Sequence, residues 1–295
     1  MTLEQLRIFV AVAEREHVTR AARDLNLTQS ATSAAVAALE ARYATRLFDR
    51  VGRRIALTDA GRLFLVEAKA VLARAASAEL VLADLAGLKA GSLGLAASQT
   101  VGNYWLPKFV QAFRAAYPGM TVSLVMGNTE TVAALVREGE ANLGFVEGEV
   151  AEPSLSATTV AEDEMMLVAP AGHAWSRHRA GERLLDLRQA DWVLREPGSG
   201  TRSILAEVLR REGIAWPQIR VNLVLPSNEA VRAAVEAGGG VTVISRLVVA
   251  QALAAGTLAA VDYPLPRRRF LMLRHKDRYA TAAENEFMRL IGTAA

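Results

Sequence analysis

The sequence predicts an α/β protein that is preceded by a small all-α unit, with a long helix between the two parts. Three observations lead to this fold class. Short helices and an arginine-rich segment fill residues 1–58, an unbroken helical pattern runs over residues 59–88, and short apolar strands alternate with helices from residue 92 onward. We therefore expect three parts, at residues 1–58, 59–88 and 89–295. The last part is expected to form two lobes, one of about 92–162 plus 266–295 and one of about 163–265.

The composition is that of a globular protein with a locally basic N-terminus. A chain of 295 residues is long enough for two or three compact units. Residues 1–58 contain nine arginines and six acidic residues, and their formal net charge of +3 equals that of the whole chain. The absence of cysteine excludes a disulfide framework and is typical of a reducing cytosol. The first helix is amphipathic rather than a signal peptide, and no apolar run is long enough to span a bilayer, so we expect a cytoplasmic protein.

The N-terminal segment has the order short helix, turn, longer helix and hairpin. We expect the short helix over Arg20–Leu25 with Thr19 as its N-cap, and Asn26 suits the left-handed conformation that ends a helix. Thr28 then caps a helix that is predicted to reach about Thr45. This order is typical of a winged helix-turn-helix, whose second helix enters the major groove of DNA.

The second helix of this motif has an inward and an outward face. A helical spacing predicts an inward stripe, made of Thr32, Val36, Leu39 and Tyr43. On the outward face a glutamine can pair bidentately with adenine, and serines can reach bases or phosphates. The residues of this helix and its cap that are predicted to contact DNA are Thr28, Gln29, Ser30, Thr32 and Ser33.

The hairpin that follows is rich in arginine. Val51, Ile55 and Leu57 favour strands, and Gly52 lies at the expected turn. Cationic side chains on such a hairpin suit DNA phosphates or the adjacent minor groove. The alternative is a solvated run of charge without a partner. The wing residues that are predicted to contact DNA are Arg50, Arg53 and Arg54.

A long helix is predicted to start at Thr58 and Gly61 and to continue to about Leu88. Apolar residues recur along it with alternating spacings of four and three, which indicates a heptad seam. Such a seam pairs most simply with its copy in a second subunit, so we expect a dimer and a partly symmetric DNA site. The alternative is a helix that packs on its own domain. The seam residues are Phe64, Ala68, Val71, Ala75, Ala78, Leu82 and Leu85.

The C-terminal part begins with a βαβαβ rhythm, which implies a parallel sheet with right-handed crossovers. A similar alternation occupies Met165 to about Val261, and the final strand and helix, Phe270–Ile291, are expected to return to the first lobe. Two strands then cross between the lobes, with hinges near Ala161–Asp163 and Pro264–Arg267. In the first lobe we expect strands over Leu93–Ala97, Thr121–Met126 and Leu143–Val146, and helices over about Gly102–Tyr117 and Glu130–Gly139.

Sheets of this kind bind ligands at the carboxyl ends of their strands, against helix N-termini. The turn REPGSGTR at residues 195–202 opens a helix with glycines that can curl around a small anion, and Arg202 adds charge. We therefore expect a small anionic effector, either a carboxylate or a sulfur oxyanion. Glu147 does not suit an anion site, so it is expected to pair with Arg202 or to bind a cationic portion of the effector. The predicted effector-binding residues are Ser98, Gln99, Thr100, Asn128, Thr129, Glu147, Glu196, Ser199, Gly200, Thr201, Arg202 and Asn228. The alternative for Ser98, Thr100, Asn128 and the neighbouring Ser227 is an ordinary helix cap.

The stretch FVAVAEREHVTRAARDLNLTQSATSAAVAALE, followed by LFDR and LTDAG, resembles the LysR-type transcriptional regulators, and the layout of the whole chain is similar to theirs. The resemblance implies a promoter-binding protein with a linker helix, an effector domain of the periplasmic-binding-protein type, and a tetramer built from two dimers. REPGSGTR and GFVEGEV look closest to the sulfur-metabolism (CysL-like) and carbon-fixation (CbbR-like) branches. Family members often carry proline where Ser30 stands and long basic or polar residues where Ala34 and Ala37 stand. Base contacts are therefore expected to depend more on Gln29, Ser30 and Ser33 and on the wing arginines.

Other functions must be weighed against this one. The four histidines have no metal-ligand spacing and no nucleophile elbow is present, so we expect neither an enzyme nor a bound metal or cofactor. A solute-binding protein would carry an export signal and no DNA-reading helix. A further alternative is a small-molecule-binding or catalytic α/β protein whose N-terminal helices serve only for oligomerisation.

Overall fold

The computed structural model describes residues 1–51, 54–85, 91–178 and 185–292. The chain divides into two compact units, Met1–Leu82 and Ala83–Ala295. The first unit contains short helices, a hairpin and most of a long helix, and the second contains the α/β part. Each unit has its own buried core.

The first unit packs three short helices against a β-hairpin and the start of the long helix, in the predicted order. Its elements are α1 (Leu3–Arg15), α2 (Val18–Asp24), α3 (Gln29–Arg42), β1 (Phe48–Val51), β2 (Arg54–Leu57) and α4 (Asp59–Leu85). The side chains buried at its centre are Leu6, Phe9, Leu39, Leu47 and Ala68. Leu39 belongs to α3, so this core holds the helix in place.

The caps of the helix-turn-helix differ from prediction at one position. His17 caps α2, because its Nδ1 accepts a hydrogen bond from the backbone N–H of Arg20 at 3.4 Å. The prediction of Thr19 as this cap is therefore wrong. Asn26 has a φ of 55° and ends the helix, as predicted. Thr28 caps α3 by accepting from a backbone N–H at 3.2 Å, also as predicted.

Helix α3 ends earlier than predicted, and Tyr43 is not part of the inward stripe. Tyr43 is 53% exposed, and Ala44 turns the chain with a φ of 48°. Glu40 Oε1 then accepts hydrogen bonds from the backbone N–H groups of Leu47 and Phe48, at 2.7 and 3.1 Å. This carboxylate ties the end of α3 to the first strand of the hairpin.

Helix α4 docks on the hairpin through a glycine. Thr58 caps the helix by accepting from the N–H of Gly61 at 2.9 Å. A Cβ atom at Gly61 would lie 2.1 Å from the carbonyl oxygen of Leu47, which is far inside contact distance. Only glycine therefore allows this approach, and the predicted helix start is confirmed.

The first part of the predicted heptad seam packs inside its own domain. Ala68 is 1% exposed, and the ring of Phe64 lies 4.8 Å from that of Phe9. The alternative interpretation is correct for these two positions, since they complete the core of the N-terminal unit. On the opposite side of α4, Leu63 and Val66 are 74% and 59% exposed. The last two seam side chains lie outside the described residues.

Lobe I of the second unit is one sheet with helices on both faces. Its elements are β3 (Gly91–Ser98), α5 (Pro107–Ala116), β4 (Met120–Gly127), α6 (Thr129–Glu138), β5 (Leu143–Glu147), β6 (Leu155–Asp163), β12 (Arg268–His275) and α10 (Ala282–Gly292). The strand order is β4-β3-β5-β12-β6. β3 is parallel to β4 and β5, and β12 is antiparallel to β5 and β6. The parallel start and the return of the C-terminal strand and helix are both as predicted.

Two features of lobe I are absent from the prediction. The strand β6 has the sequence LSATTVAED, and only its two end residues are buried, so its apolar alternation is weak. The predicted first helix is divided into a π-helical turn at Val101–Trp105 and α5, which begins at Pro107. Proline lacks an N–H group and is tolerated in the first turn of a helix, so it marks this boundary.

Lobe II has a three-stranded antiparallel sheet and a two-stranded parallel sheet rather than a second parallel repeat. Its elements are β7 (Met165–Pro170), β8 (Asp191–Arg195), α7 (Gly200–Arg211), β9 (Arg220–Leu225), α8 (Asn228–Glu236), β10 (Thr242–Ser245), α9 (Arg246–Ala255) and β11 (Leu258–Val261). β7 is antiparallel to β10 and β11, whereas β8 is parallel to β9. Only Glu164 separates β6 from β7, so the crossing strand sets the direction of β7.

The two crossing strands lie near the predicted hinges and are joined by a buried arginine. Arg268 is 2% exposed, and its Nε donates to Asp163 Oδ2 at 2.9 Å. Asp163 also accepts from the hydroxyl of Ser245 at 2.7 Å, and Arg268 Nη1 donates to Thr201 Oγ1 at 3.1 Å. Glu147 Oε1 lies 3.9 Å from Arg268 Nη1. This cluster connects both lobes at the crossover.

Candidate DNA-binding surface and interlobe cleft

The start of α3 forms an exposed polar surface. The side chains of Gln29, Ser30 and Ser33 are exposed, as the prediction of an outward face requires. The hydroxyl of Ser30 lies 3.1 Å from that of Thr28, so the two residues order each other at the N-terminus. The positive end of the helix dipole at this point favours a phosphate group.

Thr32 does not belong to this surface. It is 0% exposed, and its hydroxyl donates to the carbonyl oxygen of Thr28 at 3.0 Å. It packs on the same inward face as Leu39, which confirms the stripe at these two positions. The predicted DNA contact of Thr32 is therefore wrong, because both its hydroxyl and its methyl group are used inside the domain.

The wing has the predicted hairpin form. β1 and β2 are antiparallel, with Phe48 opposite Leu57. Gly52 and Arg53 lie outside the described residues, as do the side chains of Arg50 and Arg54. DNA contacts by the wing arginines therefore stay a prediction.

Predicted cleft residues of lobe I bond directly to lobe II. Gln99 Nε2 donates to the carbonyl oxygen of Pro226 at 2.8 Å, and its Oε1 accepts from the backbone N–H of Asn228 at 2.9 Å. The hydroxyl of Thr100 accepts from Asn228 Nδ2 at 3.0 Å. Thr100 and Asn228 are both 0% exposed. The structure thus brings the first strand end of lobe I against the start of α8.

A buried arginine, absent from the predicted site, lies among these residues. The side chain of Arg195 is 3% exposed, and its Nη1 donates to Asn228 Oδ1 at 2.5 Å. Its Nε and Nη2 donate to the two carboxylate oxygens of Glu196, at 2.8 and 2.9 Å. Arg195 is the last residue of β8, and its place at the carboxyl end of a strand was the signal that could have identified it.

Glu196 connects this arginine to lobe I. Its Oε1 lies 3.5 Å from Nδ2 of Asn128, the residue that caps α6. Burial raises the pKa of Glu196, but the hydrogen bonds and charge of Arg195 and a backbone hydrogen bond outweigh it, so the pKa is below its usual value. Glu196 is therefore a carboxylate at neutral pH.

Arg202 and Glu147 do not have the predicted partners. Arg202 donates to the carbonyl oxygen of Arg195 at 2.8 Å, and its guanidinium carbon lies 4.8 Å from the centre of the Trp216 ring. Glu147 forms its ion pair with Arg268. The predicted pairing of Arg202 with Glu147 is therefore wrong, because the Arg202 side chain packs on the indole ring, whereas its anion-binding role stays a prediction.

The remaining predicted residues mostly bond to nearby backbone. Ser98 and Thr129 donate to carbonyl oxygens within lobe I, at 3.3 and 2.9 Å. Ser199 caps α7 by accepting from the N–H of Thr201 at 3.3 Å. The helix-cap alternative is correct for Asn128 and Ser227, which cap α6 and α8. A Cβ atom at Gly200 would lie 2.4 Å from a carbonyl oxygen of lobe I, so this glycine permits close contact between the lobes.

Two cavities lie beside these contacts and carry opposite charge. One of about 330 Å³ is lined by acidic side chains, namely Glu130, Glu147, Glu149 and Glu152, together with Arg137. The other, of about 790 Å³, lies at the crossing strands and is lined by Arg210, Arg267, Arg268 and Arg269, with Glu149 and Glu207. The acidic cavity disfavours an anion, whereas the charge of the arginine-lined cavity favours one.

Within residues 1–51, 54–85, 91–178 and 185–292, no group of three or more His, Asp or Glu side chains could hold a metal ion. No helix in the same ranges is long and apolar enough to cross a bilayer.

A helix-turn-helix with an exposed recognition surface and a two-lobed α/β cleft together define a ligand-responsive transcriptional regulator. Two family models give the particular family. Residues 3–62 match the model described as bacterial regulatory helix-turn-helix protein, lysR family, and residues 86–295 match the LysR substrate binding domain. The chain belongs to the LysR family of DNA-binding transcriptional regulators.

Several relatives and solved structures are similar over most of their length. The chain is 34% identical to the HTH-type transcriptional regulator YeiE of Escherichia coli K12, over 98% of this chain and 96% of that protein. It is 31% identical to the regulator CbbR of Rhodospirillum rubrum, over 96% of this chain and 93% of that protein. This similarity agrees with the carbon-fixation resemblance. Full-length CbnR, solved with its target DNA, shares the fold with a TM-score of 0.70, at 22% identity and 100% coverage of both chains. The CcmR regulatory domain of Synechocystis, solved with 2-PG, has a TM-score of 0.62 and 25% identity, over 69% of this chain and 97% of that domain.

Proposed function

We propose that this regulator binds partly symmetric promoter DNA through α3 and its wing, and that a small anionic effector in the interlobe cleft alters this binding. The observation that carries the proposal is the direct bonding of Gln99 and Thr100 to Asn228 across the cleft. A ligand at these strand ends must change the contacts between the lobes. CbnR solved on DNA and the CcmR domain solved with 2-PG support the two halves of the proposal by similarity.

The DNA half assigns roles to the exposed residues of α3. Gln29, Ser30 and Ser33 reach base edges or phosphates, and the wing arginines bind phosphates or the minor groove. Arg50, Arg53 and Arg54 therefore add affinity for any sequence, whereas Gln29 adds preference for particular bases. The test is a gel shift with promoter fragments against random DNA of equal length. Equal retention of both would contradict sequence-specific binding.

The effector half is tested by ligand screening on the full-length protein. Carboxylates and sulfur oxyanions are added in a thermal-shift assay, since a ligand that binds the folded state raises its melting temperature. Each anion that raises it is then added to a DNA footprint. Identical footprints and bend angles with and without the anion would contradict coupling between cleft and DNA.

The protein is further proposed to dimerise through α4 and to assemble as a tetramer. Leu63 and Val66 are 74% and 59% exposed, and apolar side chains on one side of a long helix favour pairing with a second copy. The double variant Leu63→Glu and Val66→Glu is expected to lower the mass measured by light scattering. Ala76→Glu, an exposed position on another side of the helix, is the control and should leave the mass unchanged.

We also infer that the protein is not an enzyme and that it acts in the cytoplasm. Its family is one of transcriptional regulators, and promoter DNA is found in that compartment. Conversion of a bound effector by the purified protein, followed by mass spectrometry, would contradict the first inference.

A further inference from the structure

The cleft holds a charged pair that already has the geometry of a bound anion. Arg195 offers Nε and Nη2 to the two oxygens of Glu196, at 2.8 and 2.9 Å. This bidentate arrangement is the one that arginine adopts with carboxylate and other oxyanion ligands. A third hydrogen bond, from Nη1 to Asn228 Oδ1, holds the guanidinium in this orientation.

The two members of the pair differ in their access to water. The side chain of Arg195 is 3% exposed, whereas that of Glu196 is 26% exposed. A buried arginine requires a negative partner, because an unpaired buried charge is strongly destabilising. Glu196 can instead turn into solvent and be hydrated. An incoming anion could therefore take its place and keep Arg195 paired, whereas a neutral ligand could not.

The pair is also part of the contact between the lobes. In lobe I, Nδ2 of Asn128 lies 3.5 Å from Oε1 of Glu196 and 3.5 Å from the carbonyl oxygen of Pro197. Asn228, which holds Arg195, bonds to Thr100 of lobe I. A change of partner at Arg195 would therefore alter the bonds that join the lobes.

We propose that Glu196 is an internal substitute for the effector, and that an anionic effector displaces it from Arg195 by presenting two acceptor oxygens to Nε and Nη2. The proposal rests on the proposed function, since it assumes a ligand in the cleft, and it assigns the charged anchor of that site to Arg195. The ligand class is a carboxylate or a tetrahedral oxyanion such as sulfate. Displacement frees Asn128 from Glu196 and so links anion binding to the lobe contacts.

The test compares anion affinities of full-length variants by calorimetric titration at constant ionic strength. The probes are oxalate, sulfate and the uncharged diamide oxamide. Glu196→Gln removes the internal competitor's charge, so both anions should bind at least about tenfold more tightly than to the unmodified protein, and oxamide should gain nothing. Gel-shift titrations should need correspondingly less oxalate or sulfate to alter DNA binding.

A matched control separates this effect from a general change of charge. Glu212 follows Arg211 directly and pairs with it at 3.3 Å, so Glu212→Gln removes the acid of a similar neighbour pair outside the cleft. Its anion affinities should stay within about twofold of the original. Equal tightening in the two variants would overturn the proposal.

The remaining outcomes distinguish this proposal from the proposed function. Glu196→Asp keeps the charge on a shorter side chain and should tighten binding less than Glu196→Gln, which gives a second test if the glutamine variant folds poorly. If the unmodified protein and Glu196→Gln bind oxalate and sulfate equally, the substitute role is overturned while an anionic effector stands. If neither protein binds either anion at millimolar concentrations, both the substitute role and the anionic effector are overturned.

Discussion

Replacement of Arg268 by glutamine should destabilise the effector domain strongly. Arg268, Asp163 and Glu147 are 2%, 4% and 3% exposed, and the arginine is the cation that joins the two carboxylates. Removing one member of a buried ion cluster leaves uncompensated charge, which costs about 3 to 5 kcal/mol. Arg267 is the matched control, because its pair with Glu162 has side chains that are 85% and 60% exposed. Loss of such a surface pair costs about 0 to 1 kcal/mol.

Tryptophan fluorescence can measure this difference in the full-length protein. All four tryptophans lie within Ala83–Ala295, so urea unfolding followed by their emission reports on this unit alone. With a urea slope of about 2 to 3 kcal/mol/M for a domain of this size, Arg268→Gln should lower the midpoint by about 1 to 2 M. Arg267→Gln should change it by less than about 0.5 M. Equal midpoints for the two variants would refute the role of the buried cluster.

Gln29→Ala should reduce binding to the specific site by about 1 to 3 kcal/mol and leave binding to random DNA nearly unchanged; equal losses on both, measured by fluorescence anisotropy, would contradict its base contact. Gly61→Ala should destabilise the N-terminal unit by about 1 to 3 kcal/mol, because the new Cβ would lie 2.1 Å from the carbonyl oxygen of Leu47. At a helix position without such a contact, replacing glycine by alanine would stabilise the protein instead. An increase in the melting temperature measured by circular dichroism would therefore exclude this clash. Burial raises the pKa of Glu284 from 4.5 to about 7, so its contribution to stability is present below the unfolded pKa and is lost as the pH rises through about 7. Between pH 4.5 and about 7, Glu284→Gln should therefore remove up to about 3 kcal/mol of the pH dependence of the unfolding free energy. An unchanged pH dependence of the urea midpoint would contradict the raised pKa.

The N-terminal domain was largely predictable because its signals are local. A cap such as Thr28, a left-handed residue such as Asn26 and the helical spacing of Thr32 and Leu39 each depend on a few neighbouring residues. The ends of elements were less predictable, because tertiary contacts decide them. The bond of Glu40 to the backbone of the hairpin, for example, accompanies the early end of α3.

The cleft residues were predictable as a set but not in their partners. Strand ends and glycine turns identify the loops that carry Thr100, Glu196 and Asn228, because parallel strands bring their carboxyl ends to one edge. Whether a side chain then faces the cleft depends on the packing around it. Arg202 turns towards Trp216, while Arg195 is buried against Asn228.

The sequence by itself determined the order of the elements, the recognition helix and the two-lobed plan, since hydrophobic periodicity and turn residues act over short separations. Only the tertiary structure decided that Arg195 is buried against Asn228 while Arg202 packs on Trp216. It also decided that Phe64 and Ala68 belong to the domain core and that Arg268 joins the crossing strands. The physical reason is that charge pairing and burial depend on residues far apart in the chain. Arg268 and Asp163 are 105 positions apart, and only the fold places them in contact.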